Sequence, residues 1–562
     1  MMSSEAGDSK DPDYPSREIR GAGSSREAVF VVLVTVLCLL PFIGKAFHID
    51  DPMFLWAAEQ IQQDPLDFYG FDVNWEGITR PMAEVNKNPP LVSFYLAGAT
   101  ALLGWSEIAV HLAMLFPAVL LALGIYRLAA ALSERPVEAT LLAMLSPLIL
   151  ISSTTVMSDV LMLALLCWGL WLWIEALERP SLSRLLAAAV LLGLCPLAKY
   201  FGIVGLPLAV LYALLRHRAR ASLWVLLIPL LMIAAYHALT YRAYGLLPLA
   251  EVAGYANTFR TLTEASVLET GLVALLFLGG GLIGTALYIA TLHSPRVIAL
   301  EAGAALLASG ALFILEPGTS LSAYGEEGLR WEFLLHVGLF AFLGLNVLVL
   351  VLTVFREWRD PATVLLCCWL FGVFVFAAFL NWTPSGRALL PAVVPASILI
   401  MRRLGPPGGL RAPVFRLLVA SILGLWLTAA DYELAEAQRD AVDEVAALLA
   451  DQEKQAWFQG SWGFQWYMEQ AGFKKIDHGA TTLLAGDLIA IPNNNPRRMN
   501  FGPELVERLS WLHVPMNAWA STKSISRGAA FYARGPLPFA FGPVEPEWYF
   551  VYRVKASFRL QP

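Results

Sequence analysis

The sequence predicts an all-α polytopic membrane protein of about thirteen transmembrane helices, followed by a small C-terminal α/β domain. Hydrophobic residues make up 57% of the 562 residues and charged residues only 15%, and the mean hydropathy is +0.60. Apolar runs of about 20 residues, long enough to cross a bilayer, recur between residues 28 and 430. From residue 431 the chain becomes polar and is interrupted by Gly and Pro. These observations place a transmembrane domain at 28–430 and a separate domain at 431–562.

The N-terminal segment, residues 1–27, is polar and rich in Ser, Gly, Asp and Glu. Such a composition cannot bury a core, so we expect a disordered cytoplasmic tail. The apolar run that begins at residue 28 is long for a cleavable signal and lacks a small-residue cleavage site. It is therefore predicted to be a retained signal anchor.

The apolar runs give thirteen candidate spans with a window of about 20 residues. They are 28–47, 107–131, 137–153, 157–178, 182–198, 200–215, 221–243, 268–292, 297–315, 331–355, 361–380, 387–403 and 411–430. The stretch 91–104 is apolar but too short to cross about 30 Å at about 1.5 Å per residue. We expect it to lie along the membrane surface.

Charge supports this topology, because the short loops that it assigns to the cytoplasm contain the arginine clusters. These arginines are Arg127, Arg135, Arg179, Arg184, Arg216, Arg218, Arg220, Arg296, Arg356, Arg359, Arg402, Arg403 and Arg411. The topology predicts a plasma (inner) membrane protein with a cytoplasmic N-terminus and an extracytoplasmic C-terminal domain. It excludes nucleic acid as a sensible partner. All five cysteines lie in apolar runs, so no disulfide framework or cysteine metal site is predicted.

A pair of carboxylates, Asp50-Asp51, follows the first span and opens an external loop at 47–90. The loop is too long to be a mere connector. Asp51 is predicted to be a helix N-cap with Pro52 at the first helical position, a role that accounts for one carboxylate. Asp50 is then either a solvated interfacial residue or a catalytic one, and it is the better candidate for chemistry.

Three further charges, Asp159, Lys199 and Arg387, fall at the external ends of apolar stretches. Taken singly, Asp159 fits a helix N-cap, and Lys199 and Arg387 fit snorkelling side chains. Taken together they predict a site, because charges in and near a membrane are costly to desolvate and usually find partners.

Carboxylates that face cations at the outer surface of an apolar bundle suit sugar transfer from a lipid-linked phosphate. One carboxylate would act as general base on an acceptor hydroxyl, and Lys or Arg would stabilise charge on the departing phosphate. A base and a leaving group on opposite faces of the sugar predict inversion. A transporter or flippase of lipid-linked sugars is the alternative, although the paired halves typical of transporters are not visible.

The order of these features, an acidic residue after the first span, then Asn88-Pro89-Pro90-Leu91, Asp159 and Lys199, resembles glycosyltransferase family 39 over residues 28–430. That family has the GT-C fold and includes protein O-mannosyltransferases and the aminoarabinose transferase of lipid A. The resemblance implies a polyprenyl-phosphate sugar as donor, membrane lipid as surroundings, and a glycan, lipid or protein as acceptor. It also implies that no metal is obligatory.

The same resemblance assigns roles to individual positions. Asp50 matches the catalytic acidic position, Asp159 a second acidic position that lines the cavity, and Lys199 a phosphate-contacting lysine, while Arg387 resembles the late basic position before a Leu-Pro span. The chain departs from the family pattern at two places. Asn88 stands before the Pro pair, where Lys or His is common, with Lys87 one residue earlier as the matching phosphate contact. Asp51 replaces the usual Glu, so both Asp50 and Asp51 are candidates for the base.

The C-terminal domain has a mixed pattern. Helical periodicity is present at 442–449 and 464–471, and strand patterns at 456–458 and 488–491. The aromatic residues Trp462, Phe464, Trp466 and Tyr467 are predicted to form an apolar core in preference to a sugar-stacking surface. An accessory role in acceptor recognition is the expectation for this domain.

Overall fold

The computed structural model describes residues 23–263, 266–315, 319–325, 328–357, 359–406, 411–449, 455–496 and 498–560. The chain is mostly helical, with a small sheet near its C-terminal end, so the predicted fold class is confirmed. The α-helices are Ser25–Leu39, Asp51–Gln63, Met82–Val85, Leu91–Leu103, Glu107–Leu132, Pro136–Met144, Pro147–Ser153, Asp159–Glu178, Leu182–Ala198, Gly205–Leu215, Leu227–Tyr244, Pro248–Thr263, Val267–Gly281, Ile289–Leu292, Pro295–Ala311, Trp331–Val354, Pro361–Val375, Gly386–Leu389, Val393–Leu404, Arg411–Leu449 and Trp462–Gln470. Short 3₁₀ or π segments are Leu40–Phe42, Tyr200–Val204, His217–Leu226, Ile283–Tyr288, Leu312–Ile314, Phe355–Glu357, Phe376–Leu380 and Leu390–Ala392. The strands are Asp72–Asn74, Thr79–Pro81, Tyr324–Gly325, Gly328–Leu329, Ala456–Phe458, Lys474–Lys475, Thr482–Leu483, Leu488–Pro492, Val506–Val514, Ala520–Ser521, Lys523–Ser524, Ala529–Ala530, Ala540–Phe541, Glu547–Val554 and Phe558–Arg559.

In the described part of the chain, 8 helices are long and apolar enough to cross a membrane, or up to 10 if each of two bent helix pairs is one span. The protein is therefore an integral membrane protein. The predicted count of about thirteen is reached only if the shorter helical segments at 182–198, 200–215 and 387–403 are included. One predicted span, 137–153, bends by 63° where a second helix begins at Pro147, whose ring supplies no N–H to continue the first helix.

The N-terminal prediction is corrected in part. Of the predicted tail, residues 1–22 lie outside the described residues, but helix Ser25–Leu39 begins three residues before the predicted start at 28. The side chain of Ser24 accepts a hydrogen bond from the Arg26 N–H at 3.3 Å, which caps the helix. Glu27 accepts a hydrogen bond of 2.6 Å from the Tyr126 hydroxyl, which ties this first turn to a neighbouring helix.

The loop at 47–90, called the external loop after its predicted side of the membrane, is structured. Helix Asp51–Gln63 packs against helix Leu91–Leu103, and a hairpin joins Asp72–Asn74 to Thr79–Pro81. The capping prediction for Asp51 is wrong, because Asp50 occupies the N-cap position and its side chain makes no capping bond. Both carboxylates are instead used in tertiary contacts, which outweigh local capping here.

The C-terminal region begins on the 39-residue helix Arg411–Leu449, which runs through the predicted boundary at 430/431 without a break. Its five-stranded sheet has the order 474–475, 456–458, 488–492, 547–554, 506–514. The strands 474–475, 456–458 and 488–492 are parallel to one another, and 547–554 is antiparallel to both of its neighbours. The long helix and helix Trp462–Gln470 cover the sheet through an apolar core that includes Val445, Phe464 and Tyr549.

Candidate functional site

A cavity of about 2710 Å³ opens between the helical bundle, the external loop and the C-terminal region. All three parts contribute polar residues to its lining, among them Asp50, Lys87, Lys199, Arg387, Lys523 and Glu547. The bundle also contributes apolar residues such as Phe201, Val204 and Leu249. A cavity of this size and mixed polarity is suited to a large amphipathic ligand.

Four predicted residues meet at this cavity and are called the charge cluster: Asp50, Asp159, Lys199 and Arg387. Arg387 Nη1 donates to Asp50 Oδ2 at 2.7 Å, and Arg387 Nε donates to Asp159 Oδ2 at 2.9 Å. Lys199 Nζ donates to the other oxygen of Asp159, Oδ1. Asp159 therefore pairs with both Lys199 and Arg387, and Arg387 also pairs with Asp50.

Exposure is graded across the cluster. The Asp159 side chain is only 1% exposed, whereas those of Arg387, Lys199 and Asp50 are 12%, 22% and 29% exposed. Asp159 is thus the buried counter-ion of the cluster. Asp50 is the carboxylate open to a ligand.

Each member is placed by the end of a secondary-structure element. Asp50 precedes helix Asp51–Gln63, and Asp159 is the first residue of a long helix, where the macrodipole favours a negative charge. Lys199 follows helix Leu182–Ala198 in an extended conformation. Arg387 lies in a short helix whose first residue, Gly386, donates its N–H to the Phe531 carbonyl at 2.8 Å. The C-terminal region therefore helps to position Arg387.

Asp51 lies apart from this cluster and does not line the cavity. It is fully buried, and its two oxygens accept hydrogen bonds of 2.8 Å from the N–H groups of His48 and Val156. Burial raises the pKa of Asp51 to about 7, and the neighbouring Asp50 carboxylate adds a smaller rise. The two N–H donors and the nearby Lys45 ammonium act in the opposite direction and lower this pKa. The geometry favours a structural role, the joining of the external loop to the turn before Asp159.

Lys87 and Asn88 also line the cavity but do not touch the charge cluster. Lys87 Nζ lies 3.6 Å from a carboxylate oxygen of Glu251. The Asn88 carbonyl accepts a hydrogen bond of 2.7 Å from the Tyr69 hydroxyl, and its N–H donates to the Asn86 side chain at 2.9 Å. These bonds fix the backbone before the Pro pair and leave Lys87 half-buried beside the cavity.

Sequence reasoning missed a second buried ion pair. Lys45 Nζ lies 2.5 Å from Asp431 Oδ2, and neither side chain is exposed. The hydroxyls of Thr522 and Tyr532 donate to the same carboxylate at 2.6 and 2.7 Å. The only signal in the sequence is that each charge stands at the end of an apolar run.

The aromatic residues of the C-terminal region divide into two groups. Phe464 and Trp466 are buried, as predicted for a core, and Tyr467 is partly buried with its hydroxyl bonded to Glu107. Trp462 is half-buried and lines the cavity. Over the described ranges, no group of three or more His, Cys, Asp or Glu side chains is arranged to hold a metal ion.

Residues 87–241 match the family described as dolichyl-phosphate-mannose-protein mannosyltransferase. This segment includes Lys87, Asn88, Asp159 and Lys199 but neither Asp50 nor Arg387. No curated protein matches the chain.

Two similar solved structures are of ArnT from Cupriavidus metallidurans. The one bound to undecaprenyl phosphate is 12% identical, with a TM-score of 0.41, over 84% of this chain and 94% of that chain. The one in the apo state is 13% identical, with a TM-score of 0.39, over 82% and 92%. Similarity at this level supports no residue-by-residue assignment. The family match confirms, for residues 87–241, the predicted resemblance to glycosyltransferases of the protein mannosyltransferase type.

Proposed function

We propose that the protein is an inverting glycosyltransferase, which moves a sugar from a polyprenyl-phosphate donor to an acceptor on the extracytoplasmic side of the plasma (inner) membrane. The charge cluster at the cavity is the observation that carries this proposal. It combines an accessible carboxylate with two cations that share a buried counter-ion. The family match over residues 87–241 supports the same class of reaction.

Lys199 and Arg387 suit the donor phosphate. An ammonium has three N–H donors and a guanidinium has five, and the contacts with Asp50 and Asp159 occupy one donor of Lys199 and two of Arg387. The remaining donors are available for phosphate oxygens. Cations held in advance by Asp159 would stabilise the charge that develops on the leaving group without having to reorganise.

Lys87 is a third candidate contact for the phosphate, since it lines the same cavity and its pairing with Glu251, at 3.6 Å, is loose. Asn88 would contribute indirectly, because its hydrogen bonds fix the backbone next to Lys87. The apolar part of the lining, including Phe201, Val204 and Leu249, offers a surface for the isoprenoid tail between helices.

Asp50 is the proposed general base, with Asp51 kept for structure. It is the more exposed of the two carboxylates in the charge cluster, and Arg387 holds it at 2.7 Å. It would take the proton from an acceptor hydroxyl as that hydroxyl attacks the anomeric carbon. Because the acceptor hydroxyl would attack the face of the sugar opposite the departing phosphate, the product is expected to have inverted anomeric configuration. No step of this scheme requires a metal ion.

Label transfer tests the proposal. The purified protein in lipid vesicles is incubated with radiolabelled polyprenyl-phosphate sugars and a membrane extract as the source of acceptors. Label in a product that no longer carries the polyprenyl phosphate, with inverted anomeric configuration, is the expected result. If label stays on the carrier but becomes accessible from the other side of the vesicle, the protein is a transporter of lipid-linked sugars and the proposal fails.

A further inference from the structure

Trp462 adopts a backbone conformation that a bulky residue rarely takes, with φ +67°. Non-glycine residues with this geometry are uncommon, and a strained conformation costs about 1–3 kcal/mol where the surroundings enforce it. Trp462 is also the one member of its aromatic group that lines the cavity, while its buried part packs against the main apolar core. Backbone strain at a cavity wall indicates that the Trp462 side chain is held in place for a function in the cavity.

The neighbours on both sides of Trp462 enforce this conformation. The Asn495 side chain accepts from the Ser461 N–H at 2.7 Å and donates to the Ser461 carbonyl at 3.1 Å. On the other side, a Cβ added to Gly463 would lie 2.0 Å from the Phe47 carbonyl oxygen, so only glycine permits this close approach. The backbone is clamped before and after Trp462.

Lys523 lies against the indole ring and links it to two further polar residues of the cavity. Lys523 Nζ lies 3.7 Å from the ring centroid and donates to the Asn494 carbonyl at 2.9 Å. The Asn494 side chain in turn donates to Glu547 at 2.7 Å. Trp462, Asn494, Lys523 and Glu547 all line the cavity and are called the indole subsite. The lysine fixes the ring by a cation–π contact, and the amide and carboxylate provide hydrogen-bonding groups beside it.

We propose that the indole subsite binds a saccharide, and that this saccharide is the acceptor of the transfer reaction. An aromatic face packs against the C–H face of a sugar ring, while amide, carboxylate and ammonium groups pair with its hydroxyls. A lipid acceptor would need an apolar wall, and these neighbours of Trp462 are polar. The proposal rests on the proposed function and deepens it by naming the class of acceptor.

The indole subsite and Asp50 line the same cavity. Tyr532 also lines this cavity, and its ring packs edge-on against His48 at 5.4 Å between centroids. His48 is two residues before Asp50 in the chain. A bound oligosaccharide would therefore lie in the same cavity as the proposed base.

An oligosaccharide array tests the proposal without any donor. Full-length protein in detergent is applied to immobilised oligomers of mannose, glucose, galactose and N-acetylglucosamine, beside phospholipid and peptide spots. The variants are Trp462→Gly, Trp462→Ala and Trp462→Tyr. Trp511→Ala is the matched control, because Trp511 is a 50% exposed tryptophan of the same region outside the cavity lining.

Wild type and Trp511→Ala are expected to bind at least one oligosaccharide, and Trp462→Ala and Trp462→Gly to bind it at least about tenfold more weakly. Trp462→Tyr retains an aromatic face and is expected to lose less. Trp462→Gly should unfold at a higher temperature than Trp462→Ala, because glycine adopts this φ without strain, while both variants should bind equally weakly. This result separates loss of the ring from loss of the fold.

Absence of oligosaccharide binding by wild type, or equal binding by the Trp462 variants, would overturn the proposal, as would binding confined to lipid or peptide spots. Because the array involves no transfer, oligosaccharide binding together with failed label transfer would refute the proposed reaction but not the saccharide subsite. Successful transfer with unchanged binding by the Trp462 variants would refute the subsite but not the reaction.

Discussion

Asp159→Asn is the most informative perturbation of the charge cluster. The substitution keeps the size of the side chain but removes the buried charge that both Lys199 and Arg387 contact. Asp50 would then be the only carboxylate facing two cations. Removing one partner of a buried ion pair typically costs about 3–5 kcal/mol, since the remaining charge is left uncompensated. We expect a loss of this size in the free energy of unfolding, because Asp159 is only 1% exposed.

The assay is equilibrium unfolding in mixed micelles, followed by tryptophan fluorescence, in a double-mutant cycle with Lys199→Met. Removal of the lysine leaves Asp159 paired with Arg387, so Lys199→Met alone should cost less than Asp159→Asn. The double variant has one carboxylate and one cation, and it should be more stable than the sum of the two single losses implies. A coupling of about 0.5–3 kcal/mol is expected for groups in direct contact.

Additive effects, within about 0.5 kcal/mol, would show that Asp159 and Lys199 do not interact and would refute the shared counter-ion. A loss below about 1 kcal/mol for Asp159→Asn would refute its burial as a charge. Asp72→Asn, at an exposed aspartate of the external loop, controls for the chemistry of the substitution and should leave stability unchanged within about 0.5 kcal/mol.

Two further predictions concern stability. Asp51→Asn should cost about 1–3 kcal/mol, because an amide cannot accept from both backbone N–H groups that the carboxylate now satisfies. Burial raises the pKa of Asp51 from 3.8 to about 7. The contribution of this group to wild-type stability is therefore fully present below pH 3.8 and is lost as the pH rises through about 7. The free energy of unfolding, measured across this pH range, should decline in wild type but not through this group in Asp51→Asn. Gly279→Ala should be destabilising by more than about 1 kcal/mol in a thermal or denaturant melt, because the added Cβ would lie 1.9 Å from the Phe340 carbonyl oxygen where two helices cross. Gly303→Ala, at a helical glycine with nothing within 4 Å, is its control and should be neutral or stabilising by up to about 1 kcal/mol; equal effects at the two glycines would contradict the close helix approach.

The charge cluster could be predicted from the sequence because each membrane helix has one end at each surface, and a topology states which ends share a surface. Asp159, Lys199 and Arg387 each interrupt or end an apolar run, and a topology based on arginine clusters assigns them to the same side. Charges near a bilayer need partners, so co-location predicted contact. The structure adds what sequence order could not contain, namely that Asp159 is the shared partner of both cations.

Asp50 and Asp51 show where such reasoning stops. Adjacent carboxylates look alike in the sequence, and local capping rules assign the cap to Asp51. Their actual uses depend on distant residues, since Arg387 contacts Asp50 and the Val156 N–H contacts Asp51. Trp462 is similar, because its position at the cavity depends on a clamp by Asn495, which no helical or strand periodicity encodes.

Helix ends and breaks were also only partly predictable. Hydropathy located the apolar runs, but the helix from Arg411 to Leu449 continues well beyond the last apolar run because its polar half packs on the C-terminal sheet. A change of composition at residue 431 is therefore not a change of secondary structure.

The rate of sugar transfer by Asp50→Asn tests the central claim most directly. The measurement is kcat at saturating polyprenyl-phosphate sugar, with Asp72→Asn as the matched control and an unfolding curve for each variant. General-base catalysis typically contributes about 10²–10⁴-fold. The account predicts a fall in kcat of this size for folded Asp50→Asn and a wild-type rate for Asp72→Asn. A wild-type kcat for Asp50→Asn would contradict the assignment of Asp50 as the base.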